Sequence, residues 1–306
     1  MAQFKALLES DPEVGTFVYD LVLGEHQVGF YRELPEECVR FDSGDSIPCV
    51  LASFTQLKAF SLHSPLLSGV YGNRLSGIYG NHLGQPPPPP LEALDFISVP
   101  KHVALLLCSS LRDAPDSTLR SFSTIVSDDQ DTNASAMHVF SFFGDSLTEL
   151  SITFDVYSGL QALFETSSFT MQDCTNLRVI HLKVHIHGMC DITNHDLRGI
   201  PTILGQISSP HLEEITLSIL ADPMSDYHGL DSECGVRGLS LTTFAGLAEL
   251  DWDAINNALT REGMSSLRTL TVVARGPKDP LHGHLATWLP MWKTVSLYSV
   301  ETSNDL

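Results

Sequence analysis

Three side chains in the sequence are of the types that together hydrolyse esters. Ser146 is followed, much later in the chain, by an Asp-x-x-His segment that contains Asp279 and His282. A serine hydroxyl attacks a carbonyl carbon efficiently when a histidine accepts its proton and a carboxylate orients that histidine. The sequence therefore holds the residue types of a serine, aspartate and histidine triad.

The segment around Ser146 reads FGDSLTE and resembles the nucleophile block of GDSL-type esterases. The resemblance implies a triad of Ser146, Asp279 and His282. In that family a glycine follows the Thr-Glu pair and a GxND block supplies oxyanion donors. Here Leu150 occupies the glycine position and no GxND block is present. The esterase is therefore the alternative interpretation. We expect that Ser146 lies in an ordinary turn before a strand and that the chain is not an enzyme.

A second group with potential chemistry is the histidine row His181, His185 and His187, which alternates with apolar residues. Alternation places these imidazoles on one face of a strand, where they could approach one Zn²⁺ ion. Lys183 would lie among the ligands, however, and no definite fourth ligand is suitably spaced. We therefore predict no metal site and no other cofactor, and we interpret the row as polar and solvent-facing.

The elements that would position these residues are predicted by a recurring triplet: an apolar residue, two others, an apolar residue, one other, and an apolar residue. The last two apolar residues point to one side of a short strand, and stacking of such units buries a continuous core. The copies begin at Val18, Leu57, Leu91, Leu119, Leu147, Leu177, Leu212, Leu247, Leu267 and Trp292, of which the Leu119 copy is the weakest.

The predicted fold is therefore α/β: a leucine-rich-repeat-like solenoid with short parallel strands on one face and helices or loops on the other. We expect one irregular domain over residues 1–306. Segments with helical character separate the strands at 4–8, 160–165, 200–207, 255–262 and 284–288. Residues 64–90 are predicted to be a loop insertion, because they contain a duplicated octapeptide and five consecutive prolines. Residues 127–135 are predicted to be a solvated loop.

Several segments, among them FKALLESDPEVG, SFTQLKAFSL and NLRVIHL, resemble the leucine-rich-repeat region of fungal F-box-type proteins. The resemblance covers nearly the whole chain. It implies target recognition by the repeats and docking to a ubiquitin-ligase scaffold. An F-box itself is not evident: Leu34-Pro35-Glu36 resembles its opening, but the residues that follow do not continue as an amphipathic helical pair.

If the triplets are strands, the residues beside and between their core positions form an open face. Carboxylates predominate there, with one basic row, so we predict an acidic face that binds a lysine- or arginine-bearing segment of another protein. The alternative is a merely solvated surface. The candidate binding residues are Glu149, His181, Lys183, Glu214, Glu249, Asp251 and Asp253.

The overall charge narrows the range of partners. The formal net charge is −20, from 37 acidic against 17 basic residues, so we expect neither nucleic acid nor an anionic membrane surface as a partner. Acidic residues interrupt the N-terminal segment before an apolar run can form, and no stretch is apolar for long enough to span a bilayer. We therefore expect a cytoplasmic or nuclear protein that is not secreted.

Overall fold

The computed structural model describes residues 10–23, 51–63, 89–112, 118–127, 130–155, 169–186, 199–221, 251–274, 287, 289 and 295–299. Most of the predicted loop insertion, residues 64–88, lies outside the described residues. So do the predicted helices at 4–8 and 160–165 and most of the one at 284–288.

One parallel sheet organises the described part of the chain. It has nine strands, and each strand pairs in parallel with the next one along the chain. With the helices between them, the strands confirm the predicted α/β class. They are β1 (Asp20–Leu23), β2 (Ala59–His63), β3 (Ala93–Ile97), β4 (Ser121–Ser127), β5 (Glu149–Asp155), β6 (Val179–Ile186), β7 (Glu214–Ala221), β8 (Thr269–Ala274) and β9 (Val295–Ser299).

Burial alternates along the strands as the triplet pattern requires. In β4, every second side chain is buried and those between are only partly covered. The strand register brings equivalent apolar residues side by side, as in Leu150, Ile180 and Ile215 on β5, β6 and β7. Nine of the ten triplets, including the weak copy at Leu119, are confirmed as strands, and the register aligns the last two residues of each triplet with those of the next.

The triplet that begins at Leu247 was predicted to form a strand. Leu247 and Leu250 lie outside the described residues, but the prediction is wrong at the last residue of the triplet. Trp252, its last residue, begins a helix, and β7 pairs directly with β8. The Asp251 carboxylate accepts a hydrogen bond from the Ala254 N–H at 2.8 Å and so caps the helix. Trp252, Ile255 and Leu259 are buried at helical spacing, which explains why helix formation prevails over the strand pattern.

The described helices are α1 (Lys101–Arg112), α2 (Gln130–Phe143), α3 (Gly199–Gln206) and α4 (Trp252–Thr260), with 3-10 turns at Pro12–Phe17 and Glu262–Met264. The predicted helices at 200–207 and 255–262 are confirmed as α3 and α4 within a few residues. Helix α1 was not predicted. The buried faces of all four helices belong to the same hydrophobic core as the inward side chains of the strands.

The expectation of a solvated loop over residues 127–135 is wrong, because α2 begins at Gln130. Two of its polar side chains form hydrogen bonds with backbone groups. The Asn133 side chain accepts from the Ser127 N–H at 3.2 Å and donates to the Ser127 carbonyl at 2.7 Å, while the Ser135 hydroxyl donates to the Val99 carbonyl at 2.6 Å. Both side chains are buried, since their hydrogen-bonding groups have partners inside the protein.

Edge-to-face aromatic contacts connect the middle of the core. The ring centroids of Phe96 and Phe122 lie 5.7 Å apart, those of Phe122 and Phe140 lie 5.9 Å apart, and those of Phe140 and Phe169 lie 5.8 Å apart. These contacts run from β3 and β4 through α2 to the segment before β6. They therefore hold the helical layer against the sheet next to the strands that present the candidate residues.

Two histidines on the neighbouring helices α1 and α2 are partly buried. The Nε2 atoms of His102 and His138 are inaccessible to solvent and have no hydrogen-bond partner within the described part of the chain. Burial lowers the pKa of His138 below its ordinary value of 6.5, and repulsion from the Lys101 ammonium lowers it further. The folded protein therefore favours the neutral imidazole.

We expect the free energy of unfolding to decrease as the pH falls below about 6.5, the pKa of histidine in an unfolded chain. The unfolded state then binds more protons than the folded state, so His138 opposes folding increasingly until the pH reaches its lowered folded-state pKa. His138→Gln should flatten this part of the profile in urea unfolding measured between about pH 7 and pH 5. His211→Gln, at an exposed position, is the control. Equal profiles for wild type and His138→Gln would contradict the prediction.

Candidate binding face of the sheet

The outward face of the sheet consists of the side chains that alternate with the buried ones. Its first row runs from Glu149 on β5 through Val179 on β6 to Glu214 on β7. Neighbouring strands are about 4.8 Å apart, so the two carboxylate-bearing residues are separated by about 10 Å along the row. The predicted alignment of Glu149 and Glu214, with Val179 between them, is confirmed.

The next two rows contain the two predicted basic residues. His181 lies between Ser151 and Thr216, and Lys183 lies one row further along β6, between Thr153 and Ser218. His181 is exposed and Lys183 is half-buried. Their neighbours within the rows are therefore hydroxyl groups rather than carboxylates. Both basic side chains are on the same face as the glutamates, as the alternation predicted.

The remaining predicted acidic residues do not form a further set of rows. Glu249 lies outside the described residues. The placement of Asp251 and Asp253 on the strand face is wrong: Asp251 caps α4 and Asp253 lies in its first turn. The positions next to β7 belong instead to β8, which contributes Thr269 to the first row and Thr271 to the second.

The described outward face is therefore richer in hydroxyls, and poorer in carboxylates, than the sequence predicted. The carboxylate-bearing residues on it are Asp20, Asp95, Glu149, Asp155 and Glu214. The partly covered or buried hydroxyl-bearing residues are Ser61, Ser121, Ser123, Ser127, Ser151, Thr153, Thr216, Ser218, Thr269 and Thr271. Hydroxyls both donate and accept hydrogen bonds, so this face can contact polar groups of either kind.

One pair on this face was missed by the sequence analysis. His63 Nε2 on β2 lies 3.3 Å from Asp95 Oδ2 on β3, and the two side chains are 14% and 28% exposed. Both residues occupy outward positions of consecutive triplets. The pair could have been predicted by comparing the outward positions of neighbouring triplets. It is not evident from the charged residues within either triplet alone.

A second row, also missed, runs along the edge where the strands begin. We define the edge row as the residues that follow the first apolar residue of each triplet. Seven backbone carbonyls of this row, from that of Tyr19 to that of Glu213, accept hydrogen bonds. Each accepts from two successive N–H groups at the start of the next strand. The members among the described residues are Tyr19, Lys58, Glu92, Arg120, Thr148, Arg178, Glu213 and Arg268.

Charges of opposite sign are neighbours along the edge row. Lys58 Nζ lies 2.8 Å from Glu92 Oε1, and Arg178 Nη1 lies 3.8 Å from Glu213 Oε1. The hydrogen bond between Lys58 and Glu92 raises the pKa of the lysine and lowers that of the glutamate, and Arg120 also lowers the pKa of Glu92. These side chains are well exposed, so the pairs contribute more to the charge pattern of the surface than to stability.

Ser146 lies in the turn between α2 and β5, as predicted, and its hydroxyl contacts backbone carbonyls. Its Oγ is 2.8 Å from the Leu119 carbonyl and 2.9 Å from the Phe143 carbonyl. Ser209 has the same role two units further on, since its hydroxyl donates to the Leu177 carbonyl at 2.7 Å. In both places a serine satisfies the carbonyl of the first apolar residue in a preceding triplet.

The other residues of the GDSL-like block also have packing roles. A Cβ atom on Gly144 would lie 2.5 Å from the Phe140 carbonyl oxygen and 2.7 Å from the Asp173 carbonyl oxygen, so only glycine fits. Leu147 is fully buried in the core. Asp279 and His282 lie outside the described residues, and the triad stays a prediction.

The predicted histidine row is described only in part. His181 and His185 belong to β6, while His187 lies outside the described residues. In the part of the chain that the structure covers, no three or more metal-binding side chains cluster together. No helix in that part is long and apolar enough to cross a membrane.

Comparison of the chain with protein-family models, with curated proteins and with solved structures finds no match. The resemblances to fungal F-box-type repeats and to GDSL-type esterases therefore stay predictions. An all-parallel α/β sheet occurs in enzymes and in binding proteins alike, so the choice between these functions depends on the residues of the site.

Gly144→Ala should lower the free energy of unfolding by about 2 kcal/mol, because the added methyl group meets two backbone carbonyls that cannot move independently. Gly205→Ala is the matched control, since a Cβ at this position in α3 has no neighbour within 4 Å. It should raise the free energy of unfolding by about 0.5–1 kcal/mol. Urea unfolding measures both effects, and equal behaviour of the two variants would contradict the assignment.

Ser146→Ala should cost about 1 kcal/mol of stability through the lost hydrogen bond. It should leave any hydrolysis of a short-chain p-nitrophenyl ester unchanged. Ser209→Ala, which removes the equivalent hydroxyl, serves as the comparison. If Ser146→Ala alone abolished turnover seen with the wild type, Ser146 would be a nucleophile and the esterase interpretation would replace the structural one.

Proposed function

We propose that the chain is a leucine-rich-repeat-type solenoid that binds another protein on the outward face of its sheet, and that the bound segment carries lysine or arginine. The observation that supports this most strongly is the sequential, all-parallel strand order. Each repeat adds one strand to a single face, as expected of a solenoid built from units that contact only their neighbours.

The size and chemistry of the face fit a macromolecular ligand. Nine strands at about 4.8 Å spacing extend over about 40 Å, which is long enough for an extended segment or a helix of a partner. The side chains of the face are mainly hydroxyls and carboxylates, with Glu149 and Glu214 aligned in one row. Hydroxyls provide hydrogen bonds, while the carboxylates favour a cationic side chain over an anionic one.

The net charge of −20 supports the same choice of partner. A strongly acidic protein attracts basic segments and accelerates their association, and this attraction weakens as salt screens it. The resemblance to fungal F-box-type repeats supports a more specific proposal, that this binding selects targets for a ubiquitin ligase. The scaffold contact would require an F-box or an equivalent partner.

We expect a random dodecapeptide display library selected on the protein to become enriched in lysine and arginine. The double variant Glu149→Gln/Glu214→Gln should bind the best selected peptide about tenfold more weakly, which corresponds to about 1.4 kcal/mol. Fluorescence anisotropy at low and high salt measures the dissociation constants, and the difference between the proteins should shrink at high salt.

The matched control is Asp253→Asn/Glu262→Gln, which removes two exposed negative charges from α4 and the following 3-10 turn, away from the sheet. It should bind the peptide within about twofold of the wild type, since screening limits charge effects to about 8 Å at physiological salt. Equal weakening of both variants would indicate attraction to the net charge alone. No enrichment of basic peptides would contradict the proposed partner class.

A further inference from the structure

The edge row contains the same arrangement of charges twice. Lys58 and Arg120 flank Glu92, and Arg178 and Arg268 are on either side of Glu213, so that two sets of cation, anion and cation follow one another. Successive residues are neighbours through the backbone hydrogen bonds of the row, at about the 4.8 Å spacing of the strands. In each set the chain places its own carboxylate between two cations.

Thr148 separates the two sets and interrupts the alternation. Arg120 precedes it in the row and Arg178 follows it, so two arginines flank this position as well. Here the residue between the cations is a neutral threonine rather than a glutamate. Thr148 therefore has a cation on each side, as Glu92 and Glu213 do, but Thr148 itself carries no negative charge.

The three side chains are available to a ligand. Arg120 is exposed and Thr148 is partly exposed, while the Arg178 side chain is 63% exposed and lies 3.8 Å from Glu213, a long contact for an ion pair. Glu92, the carboxylate next to Arg120, is already bonded to Lys58 at 2.8 Å. Within the described residues, no carboxylate oxygen lies within 4 Å of the Arg120 guanidinium.

We propose that Arg120, Thr148 and Arg178 form a binding site for an oxyanion of the phosphate-ester class. Guanidinium groups present planar forks of donors that match phosphate oxygens, and two of them can contact one phosphate from opposite sides. Among the described residues, the Thr148 hydroxyl makes one long hydrogen bond, of 3.3 Å, to the Arg120 carbonyl. It can rotate to donate to a bound oxygen.

Glu149 opposes this binding, because it follows Thr148 directly and is exposed. The net charge of −20 also repels anions at long range, but salt screens that repulsion. The site therefore depends on short-range contacts with the two arginines, and removing the Glu149 charge should strengthen binding. The phosphate could be free or carried on a peptide, and the chemistry of recognition is the same.

The first experiment is an NMR titration of the arginine Nε–Hε signals with inorganic phosphate. A phosphoserine peptide with neutral flanking residues and its unphosphorylated counterpart are titrated in parallel. We expect saturable shifts of the Arg120 and Arg178 signals with both phosphate-bearing ligands and none with the unphosphorylated peptide. Tighter binding of the phosphopeptide than of phosphate would assign the site to a peptide-borne group, and the reverse to a free anion. No saturable shift, or equal binding of the two peptides, would overturn the proposal.

The variants test the site without removing the sheet-face carboxylates used above. Arg120→Gln/Arg178→Gln should weaken phosphate-ester binding at least tenfold, whereas Lys101→Gln/Arg112→Gln, which removes two exposed positive charges from α1, should change it by less than about twofold. Thr148→Glu should abolish binding and raise the thermal midpoint, because it supplies the missing carboxylate. Thr148→Gln is its uncharged control; it loses the hydroxyl contact but adds no charge, so it should weaken binding only a few-fold, far less than Thr148→Glu. Equal loss in the two double variants, or binding retained in Thr148→Glu, would overturn the proposal.

Discussion

The two hydrogen bonds that each edge-row carbonyl from Tyr19 to Glu213 accepts from the next strand fix the register of the sheet. Arg178, for example, accepts from the N–H groups of Glu213 and Glu214, just as Thr148 accepts from those of Arg178 and Val179. Because the same pairing recurs, each residue lies beside its counterpart in the neighbouring triplet. A shift of one residue would turn the buried side chains outward, so the apolar core and the backbone pairing support the same register.

This register also determines how charge is distributed over the surface. On the outward face it separates Glu149 and Glu214 by one apolar residue and places Lys183 between Thr153 and Ser218. Along the edge it places cations beside Glu92 and Glu213. The outward face thereby carries carboxylates and hydroxyls next to an edge that carries arginines. A partner with charges of both signs would be held in one orientation by such a surface.

The GDSL-like block shows how a catalytic motif acquires its meaning from its surroundings. Gly144 is required by two nearby carbonyl oxygens, Ser146 satisfies a carbonyl of the preceding unit, and Leu147 fills the core. Ser209 repeats the role of Ser146 without any such block around it. The same short sequence can therefore result from the needs of a turn between a helix and a strand.

The sequence by itself determined the α/β class, nine strands with their inward residues, and the alignment of Glu149 with Glu214. It could do so because side chains on a strand alternate and repeated triplets pair in register. Only the tertiary structure decided that Asp251 caps a helix and that the polar residues Asn133 and Ser135 are buried in or beside α2. It also decided which charged residues became neighbours along the edge row. Local spacing fixes the direction of a side chain, but burial, capping and charge pairing depend on groups distant in sequence.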